Sequence, residues 1–152
     1  MKEQGYTSWQ TEARCGISAR RDLHGGDWVT GNTTVTTTLL IEAESEEVVK
    51  DIAPDFTKLM KVPMRGVIVT AKSKEYDFVS RFFAPEIGLF EDPVTGSAHC
   101  CLGPFWRKRL GKEKFNAYQL SERGGRLKVQ VAGERVLISG KAVTIIEGNL
   151  LY

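Results

Sequence analysis

Long apolar runs are missing from this chain. Nothing in its 152 residues approaches the ~20 consecutive apolar positions that a membrane-crossing helix needs. The N-terminus, Met1-Lys2-Glu3-Gln4-Gly5, has no apolar signal core, so no secretory peptide is expected. Arg14, Arg20 and Arg21 are offset by Glu3 and Glu12, which argues against an organelle transit peptide. Cysteine is scarce: three residues, of which Cys100 and Cys101 are adjacent, make no disulfide framework. Reduced thiols and a cytoplasmic location are the simplest expectation. Two histidines, His24 and His99, without suitable acidic spacing make no zinc site. Excess charge is also lacking, with 21 basic against 19 acidic side chains and a net charge of +2. That balance gives no reason to expect nucleic acid or a membrane surface as partner. Gly124-Gly125 lacks the spacing of a phosphate or dinucleotide motif.

What is present suits a single packed domain. Apolar residues make up 41% of the chain, enough for a core. Residues 1–30 show no clean period, and His24-Gly25-Gly26-Asp27 reads as a turn. They are expected to be a poorly defined segment, either disordered or a remnant with a strand somewhere in 9–21. The domain proper is expected over 31–152. The β-branched stretch Thr33–Ala43 reads as a strand. Ser45 caps a short helix with acids in its first turn and Val48, Val49 and Ile52 on its apolar face. A second helical piece starts at Pro54 and turns Phe56, Leu59 and Met60 inward. Arg65–Lys72 reads as a strand buried on both faces. Tyr76–Phe83 reads as another, ended by Pro85 and Gly88. After Gly111, the segments Phe115–Ser121, Arg126–Ala132, Arg135–Ser139 and Ala142–Glu147 read as four strands with turns at Gly124-Gly125, Gly133-Glu134 and Gly140.

The chain is organised around Glu91-Asp92-Pro93-Val94-Thr95-Gly96-Ser97-Ala98-His99-Cys100-Cys101-Leu102. Asp-Pro initiates a turn. Thr95 suits a helix cap, and from Ser97 to Trp106 nearly every residue is small or apolar, the mark of a buried helix. Arg107-Lys108-Arg109 suits the helix C-terminus and Gly111 its C-cap. Pro104, within the span, removes one helix hydrogen bond. A Gly-Ser pair at a helix start leaves amides free to meet a carboxylate or phosphate. Gly96 permits close approach, Ser97 adds a hydroxyl and Asp92 a carboxylate. Taken by themselves these residues equally describe a capped turn before a core helix.

The run Asp92-Pro93-Val94-Thr95-Gly96-Ser97-Ala98-His99 resembles the DPxTGSA motif of the PhzF-like (phenazine-biosynthesis-like) family. The resemblance continues upstream through Tyr76–Pro85 and downstream through Gln119-Leu120-Ser121-Glu122-Arg123-Gly124-Gly125 to Glu147-Gly148, and matches the C-terminal half of a family member. It implies an α+β fold like that of diaminopimelate epimerase: a curved, mostly antiparallel sheet wrapped around a central apolar helix, one of two similar domains with the active site between them. It also implies no metal, no organic cofactor and a small carboxylate-bearing ligand. The best-understood member moves a proton between ring carbons of a dihydro-hydroxyanthranilate, with an acid/base glutamate from the N-terminal domain. By resemblance Asp92 lines the site with a catalytic part, and Gly96 and Ser97 bind substrate. The main glutamate has no counterpart in this sequence.

Other residues read more plainly. Ser97 and His99, two apart on a helix, point to different sides, so they form no nucleophile pair. His99 reads as a satisfied core or rim histidine, and Cys100 and Cys101 as small core residues. Ser97 holds the place of the catalytic cysteine of the related epimerases, which disfavours thiol chemistry. Arg81 reads equally as partner of an acid near the site or as a strand-surface arginine. Gln119–Gly125 reads as a hairpin turn with a charged tip. The alternative to an enzyme is a non-catalytic module that exposes an apolar face and pairs with a second copy or a related domain.

Overall fold

A computed structural model describes residues 6–14, 38–62, 64–146 and 148–149, with Tyr6–Arg14 described through its backbone. Among these residues seven strands form one mixed sheet: β1 (Tyr6–Arg14), β2 (Thr38–Glu42), β3 (Gly66–Lys72), β4 (Phe78–Phe83), β5 (Lys114–Gln119), β6 (Gly125–Ala132) and β7 (Arg135–Val143). Their order across the sheet is β1-β7-β6-β5-β4-β3-β2. Four neighbouring pairs run antiparallel. Two, β2 with β3 and β4 with β5, run parallel. The sheet is therefore mostly antiparallel, as expected for an α+β fold.

Side chains alternate across the pleat and divide the core into two layers. On one face lies α3 (Gly96–Leu110). Ile68, Phe78, Phe82, Phe115, Leu127, Val129, Val136 and Ile138 pack there with Leu102 and Trp106 of that helix. Every strand from β3 to β7 contributes to this cluster, so the sheet is laid around the helix. Trp106 stacks on Phe78 with centroids 5.6 Å apart, and its indole N–H donates to Thr70 Oγ1 at 3.0 Å. The Thr70 hydroxyl in turn donates to the Val79 carbonyl at 2.6 Å, so a buried polar group is satisfied at each step. The opposite face carries α1 (Glu46–Asp51) and α2 (Phe56–Leu59), which cover Val67, Val69, Ala71, Val79 and Phe83. Both faces of β3 are buried, as its largely apolar run requires.

Local sequence explains most boundaries. The Ser45 hydroxyl accepts from Val48 N and caps α1, and Asp55 caps α2 by accepting from Lys58 N. Gly111 closes α3 in the left-handed region at φ 65°. Several expectations need correction. Arg135–Ser139 and Ala142–Glu147 are not separate strands: β7 runs unbroken through Gly140, which sits opposite Trp9 of β1. A strand can hold a glycine when its partner supplies a continuous ladder, and β1 does so. Of the expected strand Thr33–Ala43, Thr38–Glu42 forms β2, and residues 33–37 lie outside the described residues. Val48 and Met60 are exposed, leaving Val49 as the fully buried residue of α1. A six-residue helix on a flat sheet face buries one narrow stripe, and Val48 falls outside it. Among the described residues no helix is long and apolar enough to cross a membrane.

Candidate functional site

The Asp92–Ser97 segment follows β4 after the connection Ala84–Glu91, which holds a short 3-10 turn at Pro85–Ile87, and enters α3. Asp92 N donates to the Phe82 carbonyl at 3.0 Å, which ties the segment back to the end of β4. Asp92, Gly96 and Ser97 come together at the mouth of α3, Ser97 exposed and the other two partly so. Gly96 has helical, not left-handed, backbone, and a Cβ built on it would meet nothing within 4 Å among the described residues. Packing among the described residues therefore gives no reason for glycine here. Gly96 begins a fifteen-residue helix, whose dipole and unpaired first-turn N–H groups favour an anion.

Beneath the mouth is a buried polar cluster. The Thr95 hydroxyl donates to Asp92 Oδ2 at 2.6 Å. Gln119, at the end of β5 and fully buried, accepts from Thr95 N at 2.8 Å and donates to the Asp92 carbonyl at 2.5 Å. His99, one turn into α3, lies 2.7 Å through Nδ1 from the Thr95 carbonyl. Burial pushes its pKa down to about 4, against a smaller opposing effect of that hydrogen bond, so the ring is neutral at pH 7. A carbonyl only accepts, so Nδ1 carries the hydrogen and Nε2 is bare. Nε2 has no partner among the described residues. His99 is thus a core histidine satisfied on one nitrogen only.

Two flanking contacts brace the mouth. Arg81 makes a two-point pair with Glu91, Nε to Oε1 at 2.7 Å and Nη2 to Oε2 at 2.9 Å. Its Nη1 also donates to the carbonyls of Lys50 and Ile52 at the end of α1, at 3.1 and 2.7 Å. Of the two readings open for Arg81, the acid partner is the one observed. Glu91 is thereby occupied, which leaves Asp92 as the carboxylate facing the mouth. On the other side, Ser121 Oγ donates to the Pro93 carbonyl at 2.7 Å. Gly124, at φ 70°, packs on Tyr118, and Gly125 packs so closely on Val94 that a Cβ would collide with it. The Gln119–Gly125 turn is therefore more than a solvated hairpin tip: its base holds the Asp92–Ser97 segment from outside.

Cys100 is buried, and burial, with a smaller contribution from Cys101, pushes its thiol up to about 11. It donates weakly to the Gly96 carbonyl at 3.5 Å and is protonated at neutral pH, unsuited to thiolate chemistry. No group of three or more His, Cys, Asp or Glu residues is placed to hold a metal ion among the described residues. Sequence reasoning missed Gln119. Its signal was a lone amide at the last position of a strand whose inward residues, Phe115 and Ala117, are apolar.

Comparison with known proteins gives one answer. The family model for phenazine biosynthesis-like proteins, PhzC-PhzF, matches residues 5–148. An uncharacterized isomerase of Halalkalibacterium halodurans is 53% identical over 114 residues, covering 74% of this chain and 43% of the relative. An uncharacterized isomerase of Pseudomonas aeruginosa is 54% identical over 115 residues, covering 76% and 44%. The chain thus spans about half the length of the curated relatives it matches. Among solved structures, a phenazine biosynthesis PhzC/PhzF protein from Clostridium difficile superposes with a TM-score of 0.77 at 34% identity, over 95% of this chain and 58% of that one. A PhzF-family protein from Enterococcus faecalis gives 0.73 at 33% identity, over 95% and 60%. With a family model spanning both the sheet and the Asp92–Ser97 mouth, and isomerases among its near relatives, this chain belongs to the phenazine biosynthesis-like PhzC/PhzF family.

Proposed function

We propose that the chain supplies the substrate-gripping half of a cofactor-independent isomerase site in a cytoplasmic protein. A small carboxylate-bearing metabolite docks its carboxylate on the amides of Gly96 and Ser97, beside the Asp92 carboxylate. The observation that carries this reading is the open space at Gly96, a glycine that neither backbone angle nor packing among the described residues requires. Moving a proton between two carbons builds negative charge on the acyl group as the proton leaves. Preorganised N–H donors stabilise that charge most where water is excluded. Asp92, oriented by the Thr95 hydroxyl, assists, and the main acid/base carboxylate comes from a second domain of the same kind.

The test is Gly96→Ala. Alanine in the first helical turn should leave the melting temperature unchanged or raise it slightly, since the intrinsic gain is up to about 1 kcal/mol and nothing obstructs the methyl. The same methyl occupies the ligand's place. Titration with 3-hydroxyanthranilate and small amino carboxylates, read by amide shifts at Gly96 and Ser97, should show binding to the native chain and at least tenfold weaker binding to the variant. Equal binding by both would sink the proposal. Proton exchange from bound ligand into deuterated water separates a working site from a pocket that only binds.

A second reading has its own observation. Ile87, Phe90 and Met60 are half-exposed or more, and Ile145 and Ile146 nearly fully exposed. Such apolar surface seeks a partner, and a non-catalytic module that pairs with a second copy or a related domain would use it. Sedimentation across a concentration series distinguishes the two, since a chain that stays monomeric excludes self-pairing.

A further inference from the structure

Thr95 stands where a threonine ordinarily caps a helix by accepting from an amide in its first turn. Its backbone is extended, as that role requires, yet its side chain makes no capping bond to α3. The hydroxyl is engaged elsewhere. It donates to Asp92 Oδ2 at 2.6 Å and accepts from Gln119 Nε2 at 3.2 Å. Gln119 holds the Thr95 peptide as well, through Thr95 N, and reaches the Asp92 carbonyl with the same Nε2. A primary amide has one acceptor oxygen and two donors, and Gln119 directs both ends of that amide at this one segment. Parallel pairing of β4 with β5 sets Gln119 opposite Ser80 and so brings it under the turn. The side chain is fully buried, with no water in contact to offer its bonds an alternative.

We infer that Gln119 is a positioning residue that keeps Thr95 from capping α3. The first-turn amides thereby stay open to an anionic ligand, and the Thr95 hydroxyl stays turned toward the Asp92 carboxylate. The inference rests on the ligand reading given above and adds the device that keeps that site vacant. Released from Gln119, the hydroxyl still gives its hydrogen to Asp92 but has its lone pairs free to accept from the amide of Ser97 or Ala98. A threonine cap formed there would compete with a ligand for the same amides by roughly fivefold to tenfold.

Amide hydrogen exchange followed by NMR on the full chain tests this without any ligand. In the native chain the exposed Ser97 amide should exchange within about tenfold of a free peptide. In Gln119→Met, which preserves volume, exchange at Ser97 or Ala98 should slow roughly tenfold as the cap forms. In Gln119→Met/Thr95→Val it should return to the native rate, because valine has the shape of threonine without the hydroxyl. With 3-hydroxyanthranilate as probe, affinity should fall about tenfold in the single variant and recover in the double, although the double has lost one more polar contact. A purely structural role for Gln119 predicts the opposite order, with the double variant worse. Should Gln119→Met not fold, Gln119→Glu replaces it: buried beside Asp92 its carboxyl is neutral, still accepts from Thr95 N, and has one O–H donor for the Asp92 carbonyl and the Thr95 hydroxyl where the amide has two. A protected Ser97 amide in the native chain overturns the inference, as does a double variant as protected as the single. Failure of the probe to bind the native chain would count against the ligand reading alone and leave the exchange pattern to decide the role of Gln119.

Discussion

Acidification from pH 7 to pH 4 should destabilise this chain through one histidine. His99 lies wholly inside the protein, stacked on Phe78 with centroids 6.1 Å apart. Its bare Nε2 has no acceptor to share an added proton with among the described residues. Burial holds its pKa at about 4 in the folded chain, against 6.5 for an exposed histidine. Between those values the unfolded chain carries the proton and the folded chain does not. Stability is therefore fully present above pH 6.5 and falls as the pH drops toward 4. The loss relative to the plateau is about 2 kcal/mol at pH 5 and about 3 kcal/mol at pH 4. For a chain of this size 2 kcal/mol lowers the melting temperature by roughly 4–8 °C. The assay is thermal and urea unfolding by circular dichroism at pH 7, 6, 5 and 4, for the native chain and for His99→Gln. The variant should be less stable at pH 7, having lost the ring contact, but nearly flat from pH 7 to 5. Glu47, held at about 2 first by its own backbone N–H and then by Ser45 and Lys74, loses its contribution only below about pH 4.5. It does so equally in both chains, so the difference between the two curves belongs to His99. Parallel curves over pH 7 to 5 would refute the reasoning.

Two further substitutions address the braces of the mouth. Arg81 and Glu91 are 14% and 22% exposed, so Arg81→Met strands a carboxylate that is mostly out of water together with carbonyls of the α1 terminus, at a cost of about 3 kcal/mol by urea unfolding. Arg81→Lys should recover less than half, because an ammonium cannot make the planar two-point pair; a loss below about 1 kcal/mol for Arg81→Met would show the pair to be incidental. Gly125→Ala forces a methyl into Val94 and should cost about 2 kcal/mol, with Val94→Ala restoring most of it in the double variant; purely additive losses would mean that the two positions do not press on each other.

The sequence made the core legible where chemistry repeats. The apolar run Gly66–Ala71 could only be a strand with two covered faces, and the run Ser97–Trp106 only a buried helix, because no other element hides so many apolar side chains. Asp92, Gly96 and Ser97 could be placed at one mouth because Asp-Pro and Gly-Ser carry local backbone rules. The errors come from tertiary override. Gly140 reads as a turn until β1 is seen to pair with it from the far end of the chain. Thr95 reads as a cap, but Asp92 takes its hydroxyl hydrogen and Gln119, 24 residues away, donates to its oxygen. Gly125 reads as turn chemistry, but its constraint is the neighbouring Val94. In each case the deciding partner is distant in sequence, where spacing rules carry no information.

The first and last strands lie side by side. Tyr6 stands opposite Val143 and Arg14 opposite Arg135, so nearly the whole chain must be looped before this ladder can start. Closing a loop of that length costs about 4 kcal/mol in chain entropy before any contact repays it. During synthesis β1 is made before β7 and waits for it. Folding of the finished chain should accordingly be slow for its size, with a rate set by this one long-range meeting. The parallel pair β2–β3 and the hairpins β3–β4 and β6–β7, whose partners lie closer in sequence, are free to form and dissolve while they wait.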